Sequence, residues 1–149
     1  IASTHADCMP IAFFDKENKV GCVVHAGWRG ILAGIQSRAI EMLIKEYNAD
    51  SQNILVAIGP TINKCCFVVD KDVTKSFTDA YFRDDFVINY GEKDKLDLMK
   101  IVISSILNFG IPASNITVDG RCTACQNSKL ASFRRDKEKA GTMVQIMCI

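Results

Sequence analysis

Ile11-Ala12-Phe13-Phe14-Asp15-Lys16-Glu17-Asn18-Lys19-Val20-Gly21-Cys22-Val23-Val24-His25-Ala26-Gly27-Trp28-Arg29-Gly30 is the stretch on which the fold turns. Ile11 to Phe14 is a short apolar run closed by the polar turn from Asp15 to Lys19. Val20 to Ala26 is a second β-rich run, so the pair reads as an antiparallel hairpin. After Gly27-Trp28-Arg29-Gly30 the apolar residues fall at Leu32, Ile35, Ala39, Met42 and Leu43, the spacing of a helix that ends near Tyr47-Asn48.

Outward from this segment the strand and helix signals alternate. Ile54 to Ile58 reads as a buried strand stopped by Gly59-Pro60, Asp72 to about Phe82 as a helix, and Phe86 to Ile88 as a short strand. Residues from about Lys95 to Asn108 carry helical spacing, with Gly110 as its stop and Pro112 beyond. Ile116 to Val118 and Thr142 to Ile149 complete the strand-like runs. The pattern predicts an α/β (α+β) domain, a layered sandwich with a mixed β-sheet, over residues 1–149.

Composition bounds the function. The 149 residues are 48% hydrophobic and 23% charged, with a net charge of +1, enough to fill a core and too apolar for disorder. That charge supplies no excess of cations for nucleic acid, and no run approaches the ~20 apolar residues that span a bilayer. Seven Cys cannot all pair with one another, and their spacing lacks the density of a secreted scaffold. A reducing, cytoplasmic compartment is therefore expected, with Cys22 and Cys148 as small buried residues in strands. The chain opens on Ile1 rather than Met, which suggests a fragment or a processed chain.

Cys8 and His25 stand at the edges of adjacent predicted strands, close to His5 and Asp7. A thiolate with imidazoles suits Zn²⁺, and the plain alternative is that both are core residues. The glycines at 27 and 30 can turn backbone N–H groups towards an anion, with Arg29 adding charge, or can serve a turn only. Cys122-x-x-Cys125 resembles half of a zinc knuckle, but no second CxxC or His pair follows it. The vicinal pair Cys65-Cys66 would alternate faces in a strand, so both pairs read as structural thiols. Arg134 and Arg135 read either as a solvated charge run or as guanidinium groups for phosphate or carboxylate.

Read together, Thr4-His5-Ala6-Asp7-Cys8-Met9-Pro10-Ile11, His25-Ala26-Gly27-Trp28-Arg29-Gly30 and Ile58-Gly59-Pro60-Thr61-Ile62-x-x-Cys65-Cys66-Phe67 resemble the YfiH family, also called the laccase-domain or multicopper polyphenol oxidase family. The resemblance continues through Leu96-Asp97-Leu98, Cys122-x-x-Cys125 and Ser132-Phe133-Arg134-Arg135-Asp136, covering essentially the whole chain in order. It implies a YfiH-like, cysteine-hydrolase-like sandwich and a His, Cys, His zinc site. Cys8 and His25 match two of those ligands, while the first lies in a His-Gly motif upstream of this segment. The domain is thus expected to be N-terminally incomplete. His5 occupies a variable position beside the site. Val68 stands where the family often has Glu, and Thr142 where it usually has Arg after Gly.

The resemblance implies a zinc enzyme acting on purine nucleosides, by phosphorolysis of adenosine or inosine and by adenosine deamination. Its partners are then a nucleoside and phosphate, with neither nucleic acid nor membrane. Asp7, Cys8 and His25 are the catalytic candidates, Cys8 and His25 the metal ligands, and His5, Arg29, Arg134 and Arg135 the substrate contacts. Two alternatives use the same residues: a Cys8–His25 thiol hydrolase or amidase, for instance on peptidoglycan precursors, and a non-catalytic metal-binding remnant. Copper fits less well, since oxidative copper chemistry generally wants several His ligands and the chain has two.

Overall fold

A computed structural model of the chain describes residues 1–126 and 129–148. The expected hairpin is present: β2 (Met9–Asp15) pairs antiparallel with β3 (Val20–Ala26). The Asp15 carboxylate holds its turn by accepting from the backbone N–H groups of Glu17 and Asn18 and from the Asn18 side chain. On its other edge β2 pairs antiparallel with β4 (Ile54–Ile58), which in turn runs parallel to β8 (Ile116–Val118). The main sheet is therefore mixed, in the order β3-β2-β4-β8.

Register explains why this arrangement is stable. Ile11 faces Ile58 and Phe13 faces Val56, so buried residues on neighbouring strands share one face. A slip by one residue would turn that whole set towards solvent. Two smaller antiparallel sheets flank the main one. In one, β1 (Ala2–His5) pairs with β9 (Met143–Ile146). In the other, β7 (Lys93–Leu96) lies between β5 (Val68–Val69) and β6 (Val87–Tyr90).

The helices differ from expectation at two places, each for a local reason. The expected first helix is two, α1 (Trp28–Leu32) and α2 (Ile35–Tyr47). They are separated at Gly34, whose φ of 74° lies in the left-handed region that a side chain disfavours. Helix α3 (Lys71–Tyr81) is close to the expected one, but α4 (Leu98–Asn108) starts later than expected because Lys93–Leu96 extends as a strand. The Asp97 side chain then caps α4 by accepting from the Lys100 N–H. The final strand stops at Ile146, so Cys148 lies beyond it and is exposed rather than buried. Ile149, the last residue of the expected run, lies outside the described residues.

A polar bridge inside the core ties α1, α2, α3 and α4 together. Gln36 on α2 is fully buried, and its Nε2 donates to Tyr81 Oη on α3 and to Ser105 Oγ on α4. Both hydroxyls donate onward to carbonyls, of Ile31 on α1 and of Ile101, so towards Gln36 they act as acceptors. The Gln36 Oε1 atom is buried without a partner among the described residues. Tyr81→Phe strands one Gln36 donor and is accordingly expected to lose about 1–3 kcal/mol in urea unfolding. Gln36→Met removes the orphaned acceptor and strands no donor, so its expected change is within about 1 kcal/mol of zero.

Candidate functional site

The site is organised by the turn between β1 and β2. Asp7 sits in it with φ of 77°, a conformation that Asp tolerates better than most side chains. Four hydrogen bonds hold the residue there. Its backbone carbonyl accepts from the Ile62 N–H at 2.9 Å and from Thr61 Oγ1 at 2.8 Å. Its carboxylate accepts from Thr123 Oγ1 and from the Arg134 N–H, each at 2.6 Å. Each carboxylate oxygen accepts one of these bonds and keeps a second lone pair.

Cys8 follows directly and is half-buried against Gly27. A Cβ on Gly27 would stand 3.2 Å from the Cys8 sulphur, so glycine at that position makes room for the thiol. Burial first, and then the charge of Asp7, push the Cys8 thiol above its usual range. Held in its neutral form, the thiol is a weak nucleophile.

Cys8 lines a cavity of about 380 Å³ whose other walls include Trp28, Phe67, Phe133, Arg134 and Lys137. Three aromatic rings and two cations around one cavity suit a flat, partly apolar ligand that also carries negative charge. Arg134 is fixed by its own bonds: Nη1 donates to the carbonyls of Cys66 and Val68 while the guanidinium lies 5.4 Å from the Phe67 ring centre. Helix α5 (Phe133–Asp136) sets this geometry, capped by Ser132, whose Oγ accepts from the Arg135 N–H. A groove of about 450 Å³ between α3 and the β6–β7 hairpin is lined by none of the candidate residues.

The other candidates do not line this cavity. His25 stands opposite Pro10 in the β2–β3 register and is exposed, while its neighbour Ala26 faces the cavity. His25 Nδ1 lies 2.7 Å from the Thr4 carbonyl. A carbonyl only accepts, so Nδ1 is the donor in this bond, and Nε2 is the ring nitrogen left to serve as a ligand. His5 is buried and lines a neighbouring, smaller cavity with Pro10 and Pro60, its Nδ1 unpartnered among the described residues. Burial and then the charge of His25 hold the His5 imidazole below its usual range. Arg29 is exposed and stacks 4.2 Å from the Trp28 ring centre, outside the cavity lining. Arg135 braces the loop instead, donating to the Thr123 and Leu130 carbonyls and to Asp136. Val68 contributes its carbonyl to Arg134, and Thr142 precedes β9.

One reading of the cysteines is overturned. Cys65 and Cys66 lie in a turn rather than a strand, and the fold brings them to Cys122 and Cys125. The four sulphur atoms all lie within 4.8 Å of one another. Among the described residues this is the group of three or more candidate metal ligands that the fold assembles. Burial raises a thiol, yet at Cys122 it is outweighed by the N–H groups of Asn63, Ala124 and Cys125, which bring that thiol down to about 7. Burial and the neighbouring thiols push Cys65 up to about 11 and push Cys66 up as well. Thr123 reaches the site from far away in sequence, through its bond to Asp7, whereas Lys137 stands only three residues beyond Arg134 and faces the same cavity.

A mixed α/β sandwich with a thiol, aromatic rings, an anchored guanidinium and a lysine around one cavity has the make-up of a small-molecule-binding domain. The chain belongs to the multi-copper polyphenol oxidoreductase laccase family, whose sequence model matches residues 1–149. It is similar to purine nucleoside phosphorylase LACC1 of Mus musculus, at 31% identity over 97% of this chain and 34% of that protein. It is similar also to purine nucleoside phosphorylase YlmD of Geobacillus stearothermophilus, at 32% identity over 97% of this chain and 54% of that one. Adenosine deaminase RL5, from an unknown prokaryotic organism, is 32% identical over 87% of this chain and 50% of its own length. The crystal structure of Bacillus licheniformis hypothetical protein YfiH superposes with a TM-score of 0.90 at 31% identity, covering 96% of this chain and 55% of that one. The chain spans about a third to a half of the length of these relatives.

The Asp7 turn makes a direct prediction. Asp7→Ala strands two buried donors and is expected to cost about 2–5 kcal/mol, read as a fall in Tm. Asp7→Asn places an amide N–H₂ against one of those donors and is expected to fall between Asp7→Ala and the parent chain.

Proposed function

We propose that this chain carries the nucleoside cavity of a zinc-dependent purine nucleoside phosphorylase that also deaminates adenosine. The observation that carries the proposal is the cavity beside Cys8, where Trp28, Phe67 and Phe133 meet Arg134 and Lys137. A purine ring suits the aromatic walls, and phosphate oxygens suit the two cations. The names of the similar proteins point the same way.

The donor set fits zinc in part. Cys8 offers a thiol, and His25 offers Nε2 because its Nδ1–H is committed to the Thr4 carbonyl. A family-type His from a segment upstream would complete three ligands. Zinc held there would supply Lewis-acid polarisation to the reacting oxygen. In phosphorolysis a phosphate oxygen bonds to the ribosyl carbon as the glycosidic bond breaks, and the base leaves with the bond's electron pair. Arg134, fixed by the Cys66 and Val68 carbonyls, holds the phosphate charge, with Lys137 as a second contact. Asp7 orients Arg134 through its backbone N–H and is the candidate proton carrier, each of its oxygens keeping a second lone pair. His5, Arg29 and Arg135 belong to the wider substrate surface in this reading.

The thiol-hydrolase alternative needs Cys8 as a free thiolate, which burial and Asp7 both oppose. A cytoplasmic, reducing setting accords with the seven free cysteines. Among the described residues no helix is long and apolar enough to cross a membrane.

The test is incubation with inosine or adenosine and phosphate, following free base and ribose 1-phosphate, on this chain and on a form extended at its N-terminus. Zinc-dependent release of base is expected, abolished by chelation and by Cys8→Ala. An extended, zinc-loaded protein that turns over neither nucleoside would sink the proposal, and activity that survives chelation would favour the thiol scheme. Lys137 is exposed, so Lys137→Ala is expected to raise the KM for phosphate about tenfold with Tm unchanged.

A further inference from the structure

We propose that Cys65, Cys66, Cys122 and Cys125 form a closed four-thiolate site for a structural zinc ion, separate from Cys8 and His25. Their sulphur atoms all lie within 4.8 Å of one another, and those of Cys65 and Cys125 approach to 3.6 Å. Tetrahedral zinc with Zn–S bonds of about 2.3 Å sets its sulphurs about 3.8 Å apart. The cluster already has nearly the required dimensions.

Two features of the backbone make the arrangement a binding site rather than a crowd of thiols. Asn63 opens a turn in which the N–H groups of Cys66 and Phe67 both donate to its carbonyl, and this turn brings vicinal side chains to one centre. On the other side, the Asn63 N–H donates to Cys122 Sγ at 3.4 Å, and the N–H groups of Ala124 and Cys125 face the same sulphur. Converging N–H donors favour a charged thiolate, the form that binds a metal. The two loops are pinned together independently of the sulphurs. Thr61 and Cys122 form a parallel bridge, the Thr123 N–H donates to the Thr61 carbonyl, and Asn63 Nδ2 donates to the Gly120 carbonyl. The ligands are therefore preorganised, and little ordering remains to oppose binding.

Four soft sulphur ligands in a tetrahedron select zinc among the common divalent ions, and they leave no open position for a substrate. The role is mechanical. The Cys66 carbonyl receives the Arg134 guanidinium, Phe67 walls the cavity, and Thr123 holds the Asp7 carboxylate. An ion clamping 65–66 to 122–125 would stiffen the cavity from behind without touching its ligand.

The experiment is a cobalt titration of the reduced, metal-free chain, with elemental analysis of the chain as purified. Tightly held zinc and a cobalt spectrum with strong thiolate charge-transfer absorption are expected. Cys8→Ser is expected to keep the four-thiolate absorption and to remove at most the share of one further thiolate. Cys125→Ser, at an exposed position, is expected to lower its intensity by about a quarter, one thiolate in four. Cys65→Ser, also exposed, provides the same reading from the other loop. A spectrum without thiolate charge transfer overturns the proposal. So does one lost in Cys8→Ser but unchanged in Cys125→Ser, which would leave the purine reading standing. A Cys65–Cys125 disulfide, seen as a loss of two hydrogens in the mass and restored after reduction even with zinc present, overturns it as well. None of these readouts uses turnover, so this proposal and the nucleoside proposal fail separately.

Discussion

The carboxylate of Asp7 and the left-handed turn around it form the constraint on which the site depends. One residue receives hydrogen bonds from Thr61, Ile62, Thr123 and Arg134, groups that lie far from it and from one another along the chain. A buried carboxylate tolerates such a position only when its oxygens are satisfied, and each donor here would in turn be stranded without it. This reciprocity makes the β1–β2 turn, the segment after β4 and the start of α5 one unit. Cys8 takes its place from that unit, as does the backbone of Arg134.

The mixed sheet supplies the rigid frame behind it. β2 lies in the middle of the frame, paired on both edges, so the turn that precedes it is anchored by two ladders. The cavity forms where aromatic residues from three separate segments, Trp28, Phe67 and Phe133, close over Cys8. Polar side chains are placed mostly by bonds to backbone carbonyls, as with Arg134 on Cys66 and Val68 and His25 on Thr4. Such bonds hold a charged or basic group in one direction before any ligand arrives.

The sulphur atoms divide into two populations. Cys8 stands alone at the cavity, beside a negative charge and close against Gly27. Cys65, Cys66, Cys122 and Cys125 stand together behind it, in loops joined by backbone bonds. Their adjacency follows from the parallel run of β4 and β8, which delivers both loops to the same end of the sheet.

Much of the fold was legible in the linear pattern. The β2–β3 hairpin, the strand at Ile54–Ile58 and the helix end at Asn48 follow from apolar spacing and turn chemistry, which act between near neighbours. The break at Gly34 and the strand at Lys93–Leu96 were not legible. One depends on a backbone angle that helical periodicity does not record, and the other on pairing with residues elsewhere in the chain. At the site, the residue types at Asp7, Cys8, His25 and Arg134 were visible as ordered motifs. Which arginine faces the cavity, which ring nitrogen of His25 is free and which cysteines meet were decided by tertiary structure. The physical reason is range: propensity and periodicity are summed over a few residues, whereas a cavity wall or a four-sulphur cluster exists only after strand pairing has brought distant segments together.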